Sequence, residues 1–207
     1  MIVFLLSIIK EKKKIMNLRS LPMMMTWSRV VLIPVFLICY YAPIEDARYW
    51  AGLAFMVAAI TDWFDGYLAR KLGVDSKLGA FLDPVADKLI VAAALIVVAA
   101  EYHDNIYVII SAVLIMMREI GISALREWMA ENNAREVVAV SNLGKLKTAS
   151  QLAALTWLLY GGELWGVNWG ELGFPMLYFA ATLTVITWIQ YTKAALPEII
   201  RSVKSEG

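Results

Sequence analysis

Cysteine and histidine are almost missing from this chain: 207 residues include one Cys and one His. Cys39 lies inside an apolar run, so no disulfide framework exists. His103 falls in a short polar stretch between apolar segments, far along the chain from any carboxylate cluster, and is assigned no chemistry. Charge is scarce too. Asp, Glu, Lys and Arg make up 18% of the residues and nearly cancel, to a net +1. That balance implies no acidic partner, and no basic stripe interleaved with aromatics marks a nucleic-acid surface. There are no internal repeats and no low-complexity linker. The opening "MIVFLLSII" is apolar but too short to span a bilayer, and its charges, "KEKKK", follow it. A secretory signal has the opposite order. Residues 1–16 are read as an extension without an assigned role, with Met16 as an alternative start, and 17–207 as one membrane domain.

What is abundant is hydrocarbon. Hydrophobic residues make up 60% of the chain, against roughly half or less in soluble domains. Six apolar segments can be marked: Thr26–Tyr41, Tyr49–Leu72, Leu78–Ala100, Ile106–Ala130, Lys147–Tyr160 and Phe174–Ala195. Runs of about 20 apolar residues cross a bilayer as helices. The expected fold is therefore all-α and polytopic, with six transmembrane helices. A short amphipathic juxtamembrane segment, "MNLRSLPMMMTWSR", precedes the first. With six spans both termini share a side. That side collects most of the Lys and Arg, including Arg70, Lys71, Lys77, Arg135, Lys145, Lys193 and Arg201, whereas the opposite loops hold only Arg48. Positive charge accumulates on the cytoplasmic side, so termini and aspartates are expected there. Trp50, Trp165 and Trp169 fall near the outer ends, as an interfacial aromatic belt requires.

Against this background the stretch "TDWFDGYLARKLGVDSKLGAFLDPVADK" stands out. Asp62 and Asp65 are three apart, and Asp83 and Asp87 four apart, so on helices each pair shares a face. A short Gly-containing loop joins the two segments and makes them antiparallel neighbours, which lets four carboxylates converge. Such a group repels itself unless cations sit within it. Hard oxygen ligands with no Cys or His nearby favour Mg²⁺ or Mn²⁺ over Zn²⁺. Gly66, Ala69 and Gly79 leave room for a bulky ligand, and Arg70 can grip a phosphate oxygen. This chemistry suits phosphoryl transfer. Two blander readings compete: helix capping, notably by Asp83 before Pro84, and an ion channel or Mg²⁺ transporter. The nearly all-apolar "VAAALIVVAA" after Lys88 offers no polar path across the membrane for the latter.

The spacing Asp62-x-x-Asp65-Gly66-x-x-Ala69-Arg70, then eight residues, then Gly79-x-x-x-Asp83-x-x-x-Asp87, resembles without a gap the signature of the CDP-alcohol phosphatidyltransferase family. The resemblance implies six membrane helices, a cytoplasm-facing site and two divalent metals. It implies that a phosphatidyl group passes from a CDP-linked donor, CDP-diacylglycerol, to an alcohol with release of CMP. Carried over, Asp62, Asp65, Asp83 and Asp87 are metal ligands, Asp87 is also the base, and Gly66, Ala69, Arg70 and Gly79 line the CDP side. Before the first helix, Pro22, Thr26 and Arg29 keep the family's frame, while Ser20 and Met23 depart from it; Thr26 and Arg29 are the expected donor contacts. The resemblance also suggests a homodimer in a bacterial inner membrane.

The acceptor is addressed by a different set of residues. "MREIGISALREWMAE" and "VAVSNLGKLKTASQ" resemble the bacterial branch of the family that uses sn-glycerol 3-phosphate. Arg118 and Arg126 lie eight apart on a broad helical face, and Lys145 and Lys147 enter the next helix from the cytoplasmic side. Together they are candidates for a pocket that binds the acceptor's phosphate. The alternative is ion pairing within the bundle, since Glu119 and Glu127 stand beside the arginines. Other family members, making cardiolipin, phosphatidylserine or a phosphatidylinositol phosphate, remain open as alternatives.

Overall fold

The computed structural model describes residues 31–72, 77–139 and 141–206, and for 62–72, 77–84, 203, 205 and 206 the backbone path alone. The described chain is almost wholly helical: α1 (Val31–Tyr41), α2 (Ala47–Leu72), α3 (Lys77–Glu101), α4 (Ile106–Glu131), α5 (Asn142–Tyr160) and α6 (Trp169–Glu206). A 3₁₀ turn, Arg135–Val138, follows α4. The all-α expectation needs one correction, because two-residue strands, Glu163–Leu164 (β1) and Val167–Asn168 (β2), pair antiparallel between α5 and α6. Trp165 and Gly166 at the tip have φ of 56° and 74°, the left-handed pair that a two-residue hairpin needs to match strand twist. The juxtamembrane segment and the start of the first apolar run lie outside the described residues.

The described residues form two compact units that divide within α3, one up to Ala93 and one from Ala94. In the first, Phe36 of α1 meets Phe55 of α2 at a ring separation of 6.2 Å, beside the buried small residues Ala51 and Ala58 on the same face of α2. Arg48 places its guanidinium 5.8 Å from the Tyr40 ring.

In the second unit α6 packs along both α4 and α5. The buried stripe of α4 runs through Val108, Ile115, Ile122 and Met129, each seven residues after the last, and carries Ser111 and Arg118 at the same interval. The stripe of α5 runs Gly144, Lys147, Gln151, Ala154, Leu158, alternating steps of three and four. Both are the spacings of helices packed along a seam. α6 answers with small residues, Ala180, Thr184, Thr187 and Ala195, which let backbones approach. The two threonine hydroxyls donate to carbonyls one turn back, at 2.7 and 2.8 Å, so neither is left unpaired in the seam.

The exposed faces are as apolar as the buried ones. Ile106, Ile110, Val113, Met117 and Ile120 form an outward stripe on α4, and Leu172, Phe179, Ile186 and Ile189 one on α6. In water such faces would be polar; a helix apolar all round belongs in a core or a bilayer. Among the described residues Ile106–Glu131 and Trp169–Ser202 are each long and apolar enough to cross a membrane.

Helix ends differ from the apolar segments for a physical reason. α5 starts at Asn142, five residues before its apolar run, because Ser141 caps it: the side-chain oxygen accepts from the Gly144 N–H at 3.1 Å. α6 runs from Trp169 to Glu206, well beyond Phe174–Ala195 at both ends, and passes through Pro175 and Pro197. Its 38 residues span about 57 Å at 1.5 Å each, against roughly 30 Å of bilayer hydrocarbon. Apolarity marks contact with lipid, whereas caps and backbone hydrogen bonds mark the ends of helices.

Gly173 shows how closely α5 and α6 approach. A Cβ added there would stand 2.6 Å from Leu158 Cγ. Gly173→Ala is expected to destabilise the protein by about 1–3 kcal/mol through overpacking. Thermal unfolding in detergent checks this, and pairing the substitution with Leu158→Ala should cost less than the two singly, since the residues share one contact.

Candidate functional site

The polar residues of the second unit gather where the seams of α4 and α5 are interrupted. Arg118 and Lys147 lie on buried stripes, with 6% and 0% of their surfaces exposed. Between them stands Glu119, whose Oε1 accepts from the Lys147 ammonium and lies 3.5 Å from Arg118 Nη1. One carboxylate thus serves two buried cations. Unshielded charge of either sign would be prohibitive here, and removing one partner of such a group is typically costlier than never having built it.

A second layer adjoins the first. Arg118 and Arg126 both approach the ring of Tyr191 on α6, with guanidinium carbons 5.7 and 5.2 Å from its centroid. Each contact is favourable because the ring quadrupole presents negative density to a cation over the ring. The Tyr191 hydroxyl accepts from the Ser141 N–H at 3.0 Å and lies 3.2 Å from Ser141 Oγ. Arg126 Nε donates to the Val138 carbonyl at 3.2 Å. Ser141 therefore caps α5 and ties it to Tyr191, and Tyr191 in turn orients both arginines. Val138, Ile122, Met129 and Ala195 close the apolar wall around the ring.

The cluster is not satisfied. Arg118 Nε is buried and finds no partner among the described residues, and neither does Gln151 Oε1, one helical turn beyond Lys147. Buried polar groups are paired in the large majority of cases, so each such exception needs an explanation. Arg118, Arg126 and Lys147 bring three positive charges, and among the described residues Arg118 and Lys147 share the carboxylate of Glu119 while Arg126 rests against Tyr191. An anion with several acceptor oxygens would answer both the charge excess and the orphaned N–H.

The sequence candidates fare differently. Arg118, Arg126 and Lys147 come together as a group. Lys147, however, is engaged by Glu119, the ion pairing that stood as the alternative to an open phosphate pocket. Lys145 is exposed, on the opposite side of α5 from Lys147. Asp62, Asp65, Gly66, Ala69 and Arg70 fall on α2, and Gly79, Asp83 and Asp87 on α3, so the helical spacing of each aspartate pair holds. Of these only Asp87 has a described side chain, and it is half-buried. The convergence of the four carboxylates, and Thr26 and Arg29, lie outside the described residues. Tyr191, Ser141 and Gln151 were missed. Tyr191 hid in an apolar run where an aromatic reads as packing; a polar residue on the buried register of α5 was the available signal for Gln151.

The shared carboxylate makes a direct stability test. Glu119→Ala strands the fully buried Lys147 and should cost about 3–5 kcal/mol, read as a lower unfolding midpoint in detergent. Adding Lys147→Met should recover much of that loss.

Comparison with known proteins places this arrangement. The sequence profile of the CDP-alcohol phosphatidyltransferase family matches residues 19–190. Proteins named CDP-diacylglycerol–glycerol-3-phosphate 3-phosphatidyltransferase from Escherichia coli (strain K12) and Shigella flexneri serotype 5b (strain 8401) are each 45% identical to the chain over 181 residues, covering 87% of it and 97% of the relative. The match takes in both the aspartate-bearing helices and the cationic cluster, and the chain belongs to the CDP-alcohol phosphatidyltransferase family.

Proposed function

We infer that this chain is a phosphatidylglycerophosphate synthase: it transfers the phosphatidyl group of CDP-diacylglycerol to sn-glycerol 3-phosphate and releases CMP. The identity to enzymes of that name over nearly their whole length supports the activity. The observation that carries the choice of acceptor is the buried cation excess around Arg118, with its unpaired Nε. Glycerol 3-phosphate brings the phosphate such a group needs, whereas serine lacks one.

The chemistry then divides between two sets of residues. Asp62, Asp65, Asp83 and Asp87 form an all-oxygen donor set at helical spacing, which fits Mg²⁺ or Mn²⁺. Two such ions would supply positive charge against the donor's diphosphate. Thr26, Arg29 and Arg70 hold the CDP portion, and Gly66, Ala69 and Gly79 leave it space. Arg118 and Arg126 receive the acceptor's phosphate. Lys147 fixes Glu119 and through it Arg118. Asp87 takes the proton from the acceptor's terminal hydroxyl; that oxygen bonds to the phosphorus bearing diacylglycerol, the bond from that phosphorus to the CMP oxygen breaks, and CMP leaves. Holding both substrates at once makes a covalent enzyme intermediate unnecessary. The exposed apolar faces of α4 and α6 and the one-sided Lys and Arg support a six-span protein of the bacterial inner membrane. Its termini and active site are cytoplasmic, and it works as a homodimer.

Purified enzyme given CDP-diacylglycerol, Mg²⁺ and one acceptor at a time should release CMP with glycerol 3-phosphate and not with serine, inositol phosphate or phosphatidylglycerol. Release with phosphatidylglycerol alone would make it a cardiolipin synthase. Arg118→Ala should raise KM for glycerol 3-phosphate about tenfold or more, the worth of a charge-assisted contact, with little change in KM for CDP-diacylglycerol. Asp62→Asn, Asp65→Asn and Asp83→Asn should each abolish turnover in a folded protein; near-normal activity in any two at limiting Mg²⁺ would overturn the metal assignment.

A further inference from the structure

The proposed function uses the orphaned donor, Arg118 Nε, and leaves the orphaned acceptor unexplained. Gln151 is 2% exposed, and its Oε1 meets no donor among the described residues. It lies on the buried stripe of α5, four residues after Lys147. That spacing puts the two side chains on one face, about 6 Å apart at Cβ. Beyond Gln151 the stripe turns apolar, through Ala154, Leu155, Leu158 and Leu159. A leucine at position 151 would continue it and bury no polar atom. A buried carbonyl oxygen without a donor is destabilising, so its presence is explained if a ligand supplies the missing O–H or N–H.

We propose that Gln151 is a specificity residue that accepts a hydrogen bond from the secondary hydroxyl of the acceptor. This rests on the reading of the chain as an enzyme using glycerol 3-phosphate. That acceptor has two hydroxyls. The terminal one gives its proton to Asp87 in the reaction, so the secondary one alone keeps a donor through the transfer. It stands on the carbon next to the one carrying the phosphate ester, and one turn of α5 separates the Lys147–Glu119–Arg118 group from Gln151. The cluster's two orphans have the opposite hydrogen-bonding sense, a donor at Arg118 and an acceptor at Gln151, and so do a phosphate oxygen and a hydroxyl. Sites built to pair a substrate hydroxyl discriminate against analogues lacking it, because their own buried group is then left unpaired.

The test crosses the side chain with the hydroxyl. Wild-type enzyme with CDP-diacylglycerol and Mg²⁺ is assayed with glycerol 3-phosphate and with 3-hydroxypropyl phosphate, which lacks only the secondary hydroxyl. Wild type should favour glycerol 3-phosphate by about tenfold or more in kcat/KM. In Gln151→Leu the ratio between the two acceptors should fall toward one, while KM for CDP-diacylglycerol stays unchanged. If Gln151→Leu does not fold, Gln151→Met, unbranched and of similar length, takes its place. A ratio that persists in the variant, or wild-type enzyme that uses both acceptors equally, overturns the role of Gln151 and leaves the proposed activity standing. Wild-type enzyme that releases no CMP with either acceptor overturns both.

Discussion

The buried charge of the second unit depends on one carboxylate shared by two buried cations. Glu119 lies next to Arg118 on α4 and reaches Lys147 on α5. Without it the α4 and α5 seams would bury unpaired charge, whose desolvation costs several kcal/mol per ion after relaxation. With it, the two stripes can carry charge at positions where Leu or Ile would otherwise sit. The group is still short of negative charge, because Arg126 joins Arg118 against Tyr191 and adds a further cation. A bundle built only for stability would have filled these positions with hydrocarbon. The acceptor phosphate proposed for this site would supply the missing negative charge and pair the buried Arg118 Nε.

The scaffold around the cluster is fixed by contacts that make no use of charge. Thr184 and Thr187 return their hydroxyls to their own helix, Gly173 lets Leu158 close in, and Ala180 and Ala195 keep α6 near its neighbours. In lipid there is little hydrophobic drive between helices, so close packing and satisfied hydrogen bonds hold them. Rigid seams matter for the chemistry because small misplacements of a positioning side chain are expensive in rate. Ser141 connects the two requirements. Its side chain starts α5, and its contacts with the Tyr191 hydroxyl set the ring on which both arginines rest.

How much of this was legible in advance can be told residue by residue. The order of helices and the register of the aspartates followed from hydropathy and spacing: Asp62 and Asp65 do lie on one helix and Asp83 and Asp87 on the next. The cations Arg118, Arg126 and Lys147 were found because charge within an apolar run is costly and seldom idle. The start of α5 and both ends of α6 were not, since a serine cap and a proline-tolerant helix leave no mark on hydropathy. Nor was the hairpin at Trp165–Gly166, whose left-handed backbone has no apolar signature.

By itself the sequence determined the class of the molecule and the spacing of its aspartates. A carboxylate signature is a matter of spacing along helices, and spacing is local. The tertiary structure alone decided which cations share a carboxylate, that Tyr191 sits beneath two guanidiniums, and that Arg118 Nε and Gln151 Oε1 are buried without partners. Those facts depend on which faces of α4, α5 and α6 meet. Residues 118, 147 and 191 are far apart in the chain, and no periodicity within one helix specifies what its neighbour presents.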